Sequence, residues 1–503
     1  MRVCIVGTGY VGLSTGVCLA YLGHEVQCLD TDKQKIAALR KGDLTIYEPG
    51  LEELFYLARK SLNFTSEPAV AMRDAEVIFI TVGTPSLPDG HPDLRYIHAA
   101  AEMAGKHLGE DFTVVVNKST VPIGTNRQVE KIVRDAFRKS HPGQPEARFA
   151  VASNPEFLKQ GSAIHDSLYP DRIVVGSDSQ EALQRLETLY SPIIHQQFVP
   201  PRFLPRPASC RKAAVVTTDL VSAEIIKYAA NAFLAVKISF ANELAEYAEV
   251  VNADILQVIE GVGLDRRIGN QFLQAGLGWG GSCFGKDTAA LVTSSREQGV
   301  DMSIVAAARH VNYSQRERMI AKLVRELGTL RGKTVGLLGL AFKPHTDDLR
   351  DAPALDIARR LMNRGVRVRA HDPVAMKQAR HEGLASGIQF CDSVEDLAKG
   401  ADALLLVTEW PEYRSLPWER LASSMGNPLI LDGRNFLDRV QITAAGFRYL
   451  GVGRADVSPQ QQPAYVLTNP SVEEAILSRQ LAPLRSPGFN WASPSLVGLA
   501  MDR

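Results

Sequence analysis

RVCIVGTGYVGLSTGVCLAYLGHEVQCLD, residues 2–30, decides the fold. A β-branched run, VCIV, leads directly into GTGYVG and then into an amphipathic stretch, and a second apolar run closes on Asp30. That is the strand–turn–helix–strand order of a dinucleotide-binding unit. Gly7 permits the tight turn, Gly9 lets backbone approach a pyrophosphate, and Gly12 lets the helix pack close to the strand. Tyr10 and Val11 occupy the same turn, so Gly7, Gly9, Tyr10, Val11 and Gly12 form the candidate cofactor loop. The helix N-terminus then faces the phosphate charge. Asp30 stands where a carboxylate accepts the adenosine ribose hydroxyls and repels a 2′-phosphate, which points to NAD and not NADP.

The same rhythm continues outward. EVIFITVG, TVVV, RFAVAS and RIVVG follow as short strands, implying a parallel sheet with crossover helices. The ends of two of them, TVGTP (81–85) and STVP (119–122), reach the same crevice because ligands in open α/β sheets lie beyond the strand carboxyl ends. Thr84 and Thr120 are the candidate contacts there. A proline-free, Ala-rich segment from about Thr218 to Asn252 carries apolar residues at helical spacing and predicts one central helix. Beyond Lys333 the strand rhythm restarts with TVGLLGLAF, VRVRAHD, ADALLLVTEW and PLILDGR, with Asp372 closing its second strand as Asp30 does in the first half. The expected fold class is therefore α/β, with two Rossmann-like doubly wound domains joined by a long central helix. The expected boundaries are 1–215, 216–325 and 326–453. The Pro/Arg-rich stretch 200–214 disfavours helix and central strand. Residues 454–503, with PQQQP, SPG and ASPS, predict a mobile tail containing one short helix.

Bulk properties narrow the function. A chain of 503 residues exceeds one core. Lys plus Arg equals Asp plus Glu at 56 each, so no bulk charge draws the chain to nucleic acid or to a membrane surface. No signal peptide or 18-residue apolar run is present, and the six cysteines form no CxxC pair, which predicts a cytoplasmic protein with reduced thiols and no structural metal.

The most informative stretch is GLGWGGSCFGKDTAALV, residues 276–292. Its glycines leave backbone amides bare. Cys283 follows at once, and Asp287 lies four residues on, where a helix begins. A thiol at a helix N-terminus, with Lys286 nearby, is a candidate covalent nucleophile.

Taken in order, GTGYVG, NPEFL (154–158), KYAANAFLAVKISFANE (227–243), RIGNQFL (267–273), GGSCFGKD and AFKPHTDDLR (341–350) resemble the UDP-glucose/GDP-mannose dehydrogenases from residue 1 to about 453. The resemblance implies a cytoplasmic, NAD-dependent four-electron oxidation of a sugar C6 alcohol, with UDP-glucose to UDP-glucuronate favoured. It implies that Cys283 carries a thiohemiacetal and then a thioester, that Lys227 and Asn231 steady the developing oxyanion, that Asp287 and Thr120 hold water, and that Glu156 serves hydrolysis. Lys227 and Asn231 are spaced i, i+4 and share one helix face.

For substrate, the resemblance implies Glu156, Phe157, Leu158, Lys227, Asn231, Phe272, Gly280, Phe342, Lys343 and Arg434, with Arg267 reaching in from a neighbouring subunit, so that a homodimer is the minimal active unit. Lys286 and Arg350 join the cofactor contacts. Gln160 departs from the family glutamate, and Asp351–Ala352 replaces Glu-Ser. Ser282 disfavours the N-acetylhexosamine branch, which carries histidine there. GDP-mannose 6-dehydrogenase is the alternative within the family. A catalytically silent nucleotide-sugar binder is the alternative outside it, and it would lack one of Cys283, Lys227, Asn231, Asp287 or Glu156. All five are present.

Overall fold

The computed structural model describes residues 1–381 and 386–455. The tail expected from residue 454 lies, but for its first two residues, outside the described residues.

Eight strands build the first sheet: β1 Arg2–Val6, β2 Glu25–Leu29, β3 Leu62–Thr65, β4 Val77–Ile80, β5 Thr113–Asn117, β6 Phe149–Ser153, β7 Arg172–Gly176 and β8 Ala214–Thr218. Their order is β3-β2-β1-β4-β5-β6-β7-β8, with the chain crossing from one edge back to the centre between β3 and β4. The central strands are near-continuous Val/Ile runs because both faces are covered by helices. In β5 all five residues are buried.

One expectation is corrected. The sheet is not wholly parallel: β6 and β7 meet antiparallel at Ser153 and Gly176, and β7 and β8 run parallel to each other. Between β6 and β7 lie a loop and the short helix Ala163–Leu168, and β7 returns beside β6 in the opposite direction. Residues 200–213 form no regular element, as the prolines dictate, and Ala214 opens β8. The stretch is packed down nevertheless: Tyr169 donates to the Leu204 carbonyl (3.0 Å), and Tyr21 to that of Val199 just before it (2.7 Å).

The second sheet contains β9 Thr334–Leu338, β10 Arg367–His371, β11 Gln389–Phe390, β12 Ala403–Leu406, β13 Leu429–Asp432 and β14 Arg448–Leu450, in the order β11-β10-β9-β12-β13-β14, all parallel. Its first turn repeats that of the first sheet. Gly7 and Gly339 both take φ +97°, and each donates its amide at 2.8 Å to the last residue of the neighbouring strand, Leu29 or His371. The acids differ. Both Asp372 oxygens are consumed, by the amides of Leu340, Ala341, Val374 and Ala375 and by Trp410 Nε1, in a site 2% exposed. Asp372 therefore fixes a turn and has no capacity left for a ribose.

Between the sheets runs the central helix Leu220–Val250, 31 residues long, opened by Asp219 accepting from Ser222 N (2.8 Å). At ~1.5 Å per residue it spans about 46 Å. Six of its thirteen buried residues are alanine, which lets the helices Phe284–Glu297 and Ser303–Leu327 pack close, and Lys227 and Asn231 are among the polar residues that interrupt that face.

Candidate active site

The turn after β1 is shaped for a dinucleotide. A Cβ on Gly12 would stand 1.9 Å from the Gly7 carbonyl oxygen and 2.5 Å from Thr81 Oγ1, so only glycine allows the helix Tyr10–Tyr21 to begin there. At Gly9 a Cβ would meet nothing within 4 Å, and no side chain caps the helix. The first amides are thus open to an anion. Asp30 accepts from Thr8 N (2.9 Å) and Thr8 Oγ1 (2.7 Å), with Lys35 Nζ at 3.2 Å. Burial works against its charge, but these donors outweigh it and hold the carboxyl below its ordinary range. An ionised acid beside an open glycine turn fits NAD. Thr84 donates to the Thr120 carbonyl (2.9 Å) and Ser119 to that of Val82 (2.7 Å), tying the tips of β4 and β5 together beside this turn.

Residues 276–282 are held from three sides. Asn242 on the central helix accepts from Gly276 N (2.7 Å), Asn312 accepts from Trp279 N (2.7 Å), and Arg434 donates to the Gly278 carbonyl (3.0 Å). A Cβ on Gly280 would lie 2.3 Å from the Asp351 carbonyl oxygen, so the loop lies directly against the second lobe. Cys283 emerges from this clamp exposed, at the N-cap of the helix Phe284–Glu297. Asp287, one turn in and 1% exposed, accepts from Asn231 Nδ2 (2.6 Å) and Lys286 Nζ (2.6 Å). Lys286 thus directs its ammonium at Asp287. Lys227, one turn before Asn231, sits 5.1 Å from the Phe157 ring centroid.

Glu156 lies in the loop after β6, where no helix forms. Its Oε1 accepts from Phe157 N and Leu158 N (2.7 Å each) and its Oε2 pairs with Lys118 at 2.9 Å. Gln160 lies beside Asp348 and helps hold that carboxyl below its ordinary range, after Arg350, against burial.

The 341–350 loop of the second lobe meets all three parts. The Tyr10 hydroxyl of the glycine turn bonds Asp347, a Cβ on Gly161 would lie 3.0 Å from the His345 carbonyl oxygen, and the Phe342 ring lies 2.7 Å from where a Cβ on Gly281 would stand. Burial pushes the Lys343 ammonium below its usual range, against the pull of Glu48. Arg350 pairs with Asp348 at 2.6 Å.

Two candidates stand apart. Arg267 is paired only with Asp265 (2.6 Å), its side chain 89% exposed, and Phe272, at φ +64°, touches the site through the Phe284 ring at 6.3 Å. Sequence reasoning missed Lys118, Thr8, Lys35 and the Tyr10–Asp347 contact. Only Lys118 left a signal, as a lysine between the strand TVVVN and STVP, at the strand end that faces the crevice.

A glycine turn with its ionised acid, adjoining a thiol at a helix N-terminus and a buried lysine–asparagine pair, defines an NAD-dependent dehydrogenase. Three family models match in succession: the UDP-glucose/GDP-mannose dehydrogenase NAD-binding domain over residues 1–194, the central domain over 221–314 and the UDP-binding domain over 336–439. The chain is 43% identical to a Bacillus subtilis UDP-glucose 6-dehydrogenase, YwqF, across 91% of this chain and 99% of that one. It is 44% identical to a Pseudomonas aeruginosa UDP-glucose 6-dehydrogenase across 90% and 98%. A solved UDP-glucose dehydrogenase from Pyrobaculum islandicum superposes with TM-score 0.80 at 38% identity, covering 90% of this chain and 98% of that one. The chain belongs to the UDP-glucose/GDP-mannose dehydrogenase family and is an NAD-dependent nucleotide-sugar 6-dehydrogenase. Among the described residues no helix is long and apolar enough to cross a membrane.

Proposed function

We propose that the chain oxidises UDP-glucose to UDP-glucuronate through covalent intermediates on Cys283. The observation that carries this reading is the exposed Cys283 at a helix N-terminus one turn before the buried Asp287, which Asn231 bonds, with the buried Lys227 one turn earlier on the helix of Asn231. Two NAD molecules, bound in turn, would each accept one hydride. In the first oxidation C6 loses a hydride and its hydroxyl passes a proton to the water held by Asp287, while Lys227 and Asn231 stabilise charge on O6. The Cys283 sulfur then bonds C6 of the aldehyde, which stays tethered and becomes tetrahedral. Loss of the second hydride and the O6 proton leaves a thioester. Water adds to it, the C–S bond breaks, the carboxylate leaves and the thiol is restored. Glu156 takes the water proton, with Asp287 and Thr120 orienting that water.

In this reading, residues 1–215 bind NAD through Gly7, Gly9, Tyr10, Val11, Gly12, Asp30, Thr84 and Thr120, joined by Lys286 and Arg350. Residues 216–325 carry the thiol and the subunit contact. Residues 326–453 hold the nucleotide sugar with Phe342, Lys343 and Arg434, against Phe157, Leu158, Phe272 and Gly280. A cytoplasmic location accompanies this assignment.

A panel of nucleotide sugars tests the substrate assignment. UDP-glucose should give the highest kcat/KM with NAD, and NADP should be poor because Asp30 meets its 2′-phosphate. A GDP-mannose preference, or equal use of NADP, would overturn it.

A homodimer is supported by Phe233, Phe240 and Tyr247, which lie seven residues apart on the central helix and are more than half exposed. With Arg267 reaching across that contact, mixing Arg267→Ala chains with Cys283→Ala chains should recover part of the activity, because one hybrid site holds both groups. No recovery after demonstrated subunit exchange would put Arg267 in its own subunit's site.

A further inference from the structure

Behind Glu156, just past β5, Lys118 is buried at 7% exposure. Its ammonium pairs with Glu156 Oε2 at 2.9 Å and donates to Asn154 Oδ1 at 3.1 Å. Tyr190 donates to that same Asn154 oxygen at 2.6 Å, and Asn154 Nδ2 is anchored on the Val174 carbonyl at 2.8 Å. Glu156 is therefore gripped at both oxygens: Oε1 by two backbone amides, Oε2 by a lysine that is itself fixed to β5, β7 and the helix Gln180–Ile194. No step of the reaction uses this lysine. A buried cation is costly unless it does something for its partner.

We propose that Lys118 is a positioning residue for the hydrolytic step, holding Glu156 in a single orientation and in its carboxylate form. The proposal rests on the reading of Glu156 as the group that takes the water proton. Burial alone would push Glu156 up, but Lys118, the Leu158 amide and Lys227 together outweigh it and bring the carboxyl below its ordinary range, with Lys118 the first of these, while Glu156 in turn raises Lys118 against its own burial. The other titratable groups around the pair are Lys227 from the central helix, Tyr190, and Cys18 from the helix Tyr10–Tyr21, with Lys159, His165, Asp166, Tyr169, Asp171 and Arg172 in the same cavity wall. Among these, only Lys118 is in contact with the Glu156 carboxylate. A neutral side chain at 118 must therefore raise the Glu156 pKa, so that Glu156 protonates at a higher pH and hydrolysis fails earlier on acidification.

The test is Lys118→Gln, whose amide keeps hydrogen bonds to Glu156 and Asn154 but carries no charge, with thermal melting confirming the fold. Lys118→Met, similar in volume, repeats the measurement should the first variant not fold. The acid limb of kcat should move up by about one pH unit or more, in line with the usual effect of one adjacent charge. The first-turnover NADH burst should stay within about twofold of wild type, since the effect falls on hydrolysis. Lys118→Arg should restore the limb, and Lys118→Gln in a Glu156→Gln background should add no further loss. An unmoved acid limb, or a full loss that persists in that background, would show that Lys118 only packs. Failure to trap a Cys283 adduct with Glu156→Gln alone would remove the hydrolytic reading on which the proposal rests. A trapped adduct with an unmoved Lys118→Gln limb would remove only the role of Lys118.

Discussion

Cys283→Ser is expected to bind NAD and UDP-glucose as wild type does and to lose overall turnover to the acid by roughly three orders of magnitude or more, about 4 kcal/mol of barrier. Serine preserves the N-cap of the helix Phe284–Glu297, so the loop clamped by Asn242, Asn312 and Arg434 keeps its shape. What is lost is chemical. A hydroxyl is far less ionised than a thiol, adds poorly to the aldehyde, and gives an ester that is harder to hydrolyse than a thioester. Binding is checked by calorimetry with each ligand and turnover by NADH absorbance. Wild-type rates in this variant would remove the covalent route while leaving the family assignment intact.

The second large effect is expected at Glu156. Glu156→Gln should still perform hydride transfer and then stall, with steady-state turnover down about 100-fold or more, the usual contribution of a general base. The stalled enzyme should carry the sugar nucleotide on Cys283, visible as a mass increment on the peptide containing that residue. Glutamine keeps one oxygen, which can accept from the amides of Phe157 and Leu158 and hold the loop, while its amide nitrogen faces Lys118, which retains its bond to Asn154. If the first hydride is lost and no adduct is trapped, Glu156 serves binding or the first oxidation, and Asp287 becomes the candidate for hydrolysis. Asp287 is already engaged with Asn231 and Lys286 in a site 1% exposed, which is why Glu156 is preferred.

What the sequence made legible is what local rules govern. The glycine turn and Asp30 lie within 30 residues, and the strand, turn and helix around them follow from propensity and spacing. The central helix was bounded within about two residues because no proline or glycine breaks it. The placement of Cys283 and Asp287 at a helix start came from the glycine run ending there. The resemblance to a family then supplied roles that no spacing rule contains.

What stayed hidden depends on contacts between distant residues. The reversed strand β7 carries the same β-branched pattern as its parallel neighbours, since strand direction leaves no mark on a fully buried strand. Asp30 and Asp372 look equivalent in sequence. Only the folded neighbourhood separates them, because Trp410 and four amides consume the second. Lys118 and Glu156 lie 38 positions apart, just beyond the ends of the adjacent strands β5 and β6, and Tyr10 and Asp347 come from different lobes, so their pairing could not be read from either stretch alone.

The central claim is a four-electron oxidation carried through on one enzyme without release of the aldehyde. Its most direct test is the amount of NADH formed when the purified wild-type protein consumes a limiting, known quantity of UDP-glucose with NAD in excess. Two NADH per UDP-glucose, with UDP-glucuronate as the product and no free aldehyde captured by a carbonyl trap, is the expected result. One NADH per sugar, with the aldehyde accumulating in the trap, would contradict the account.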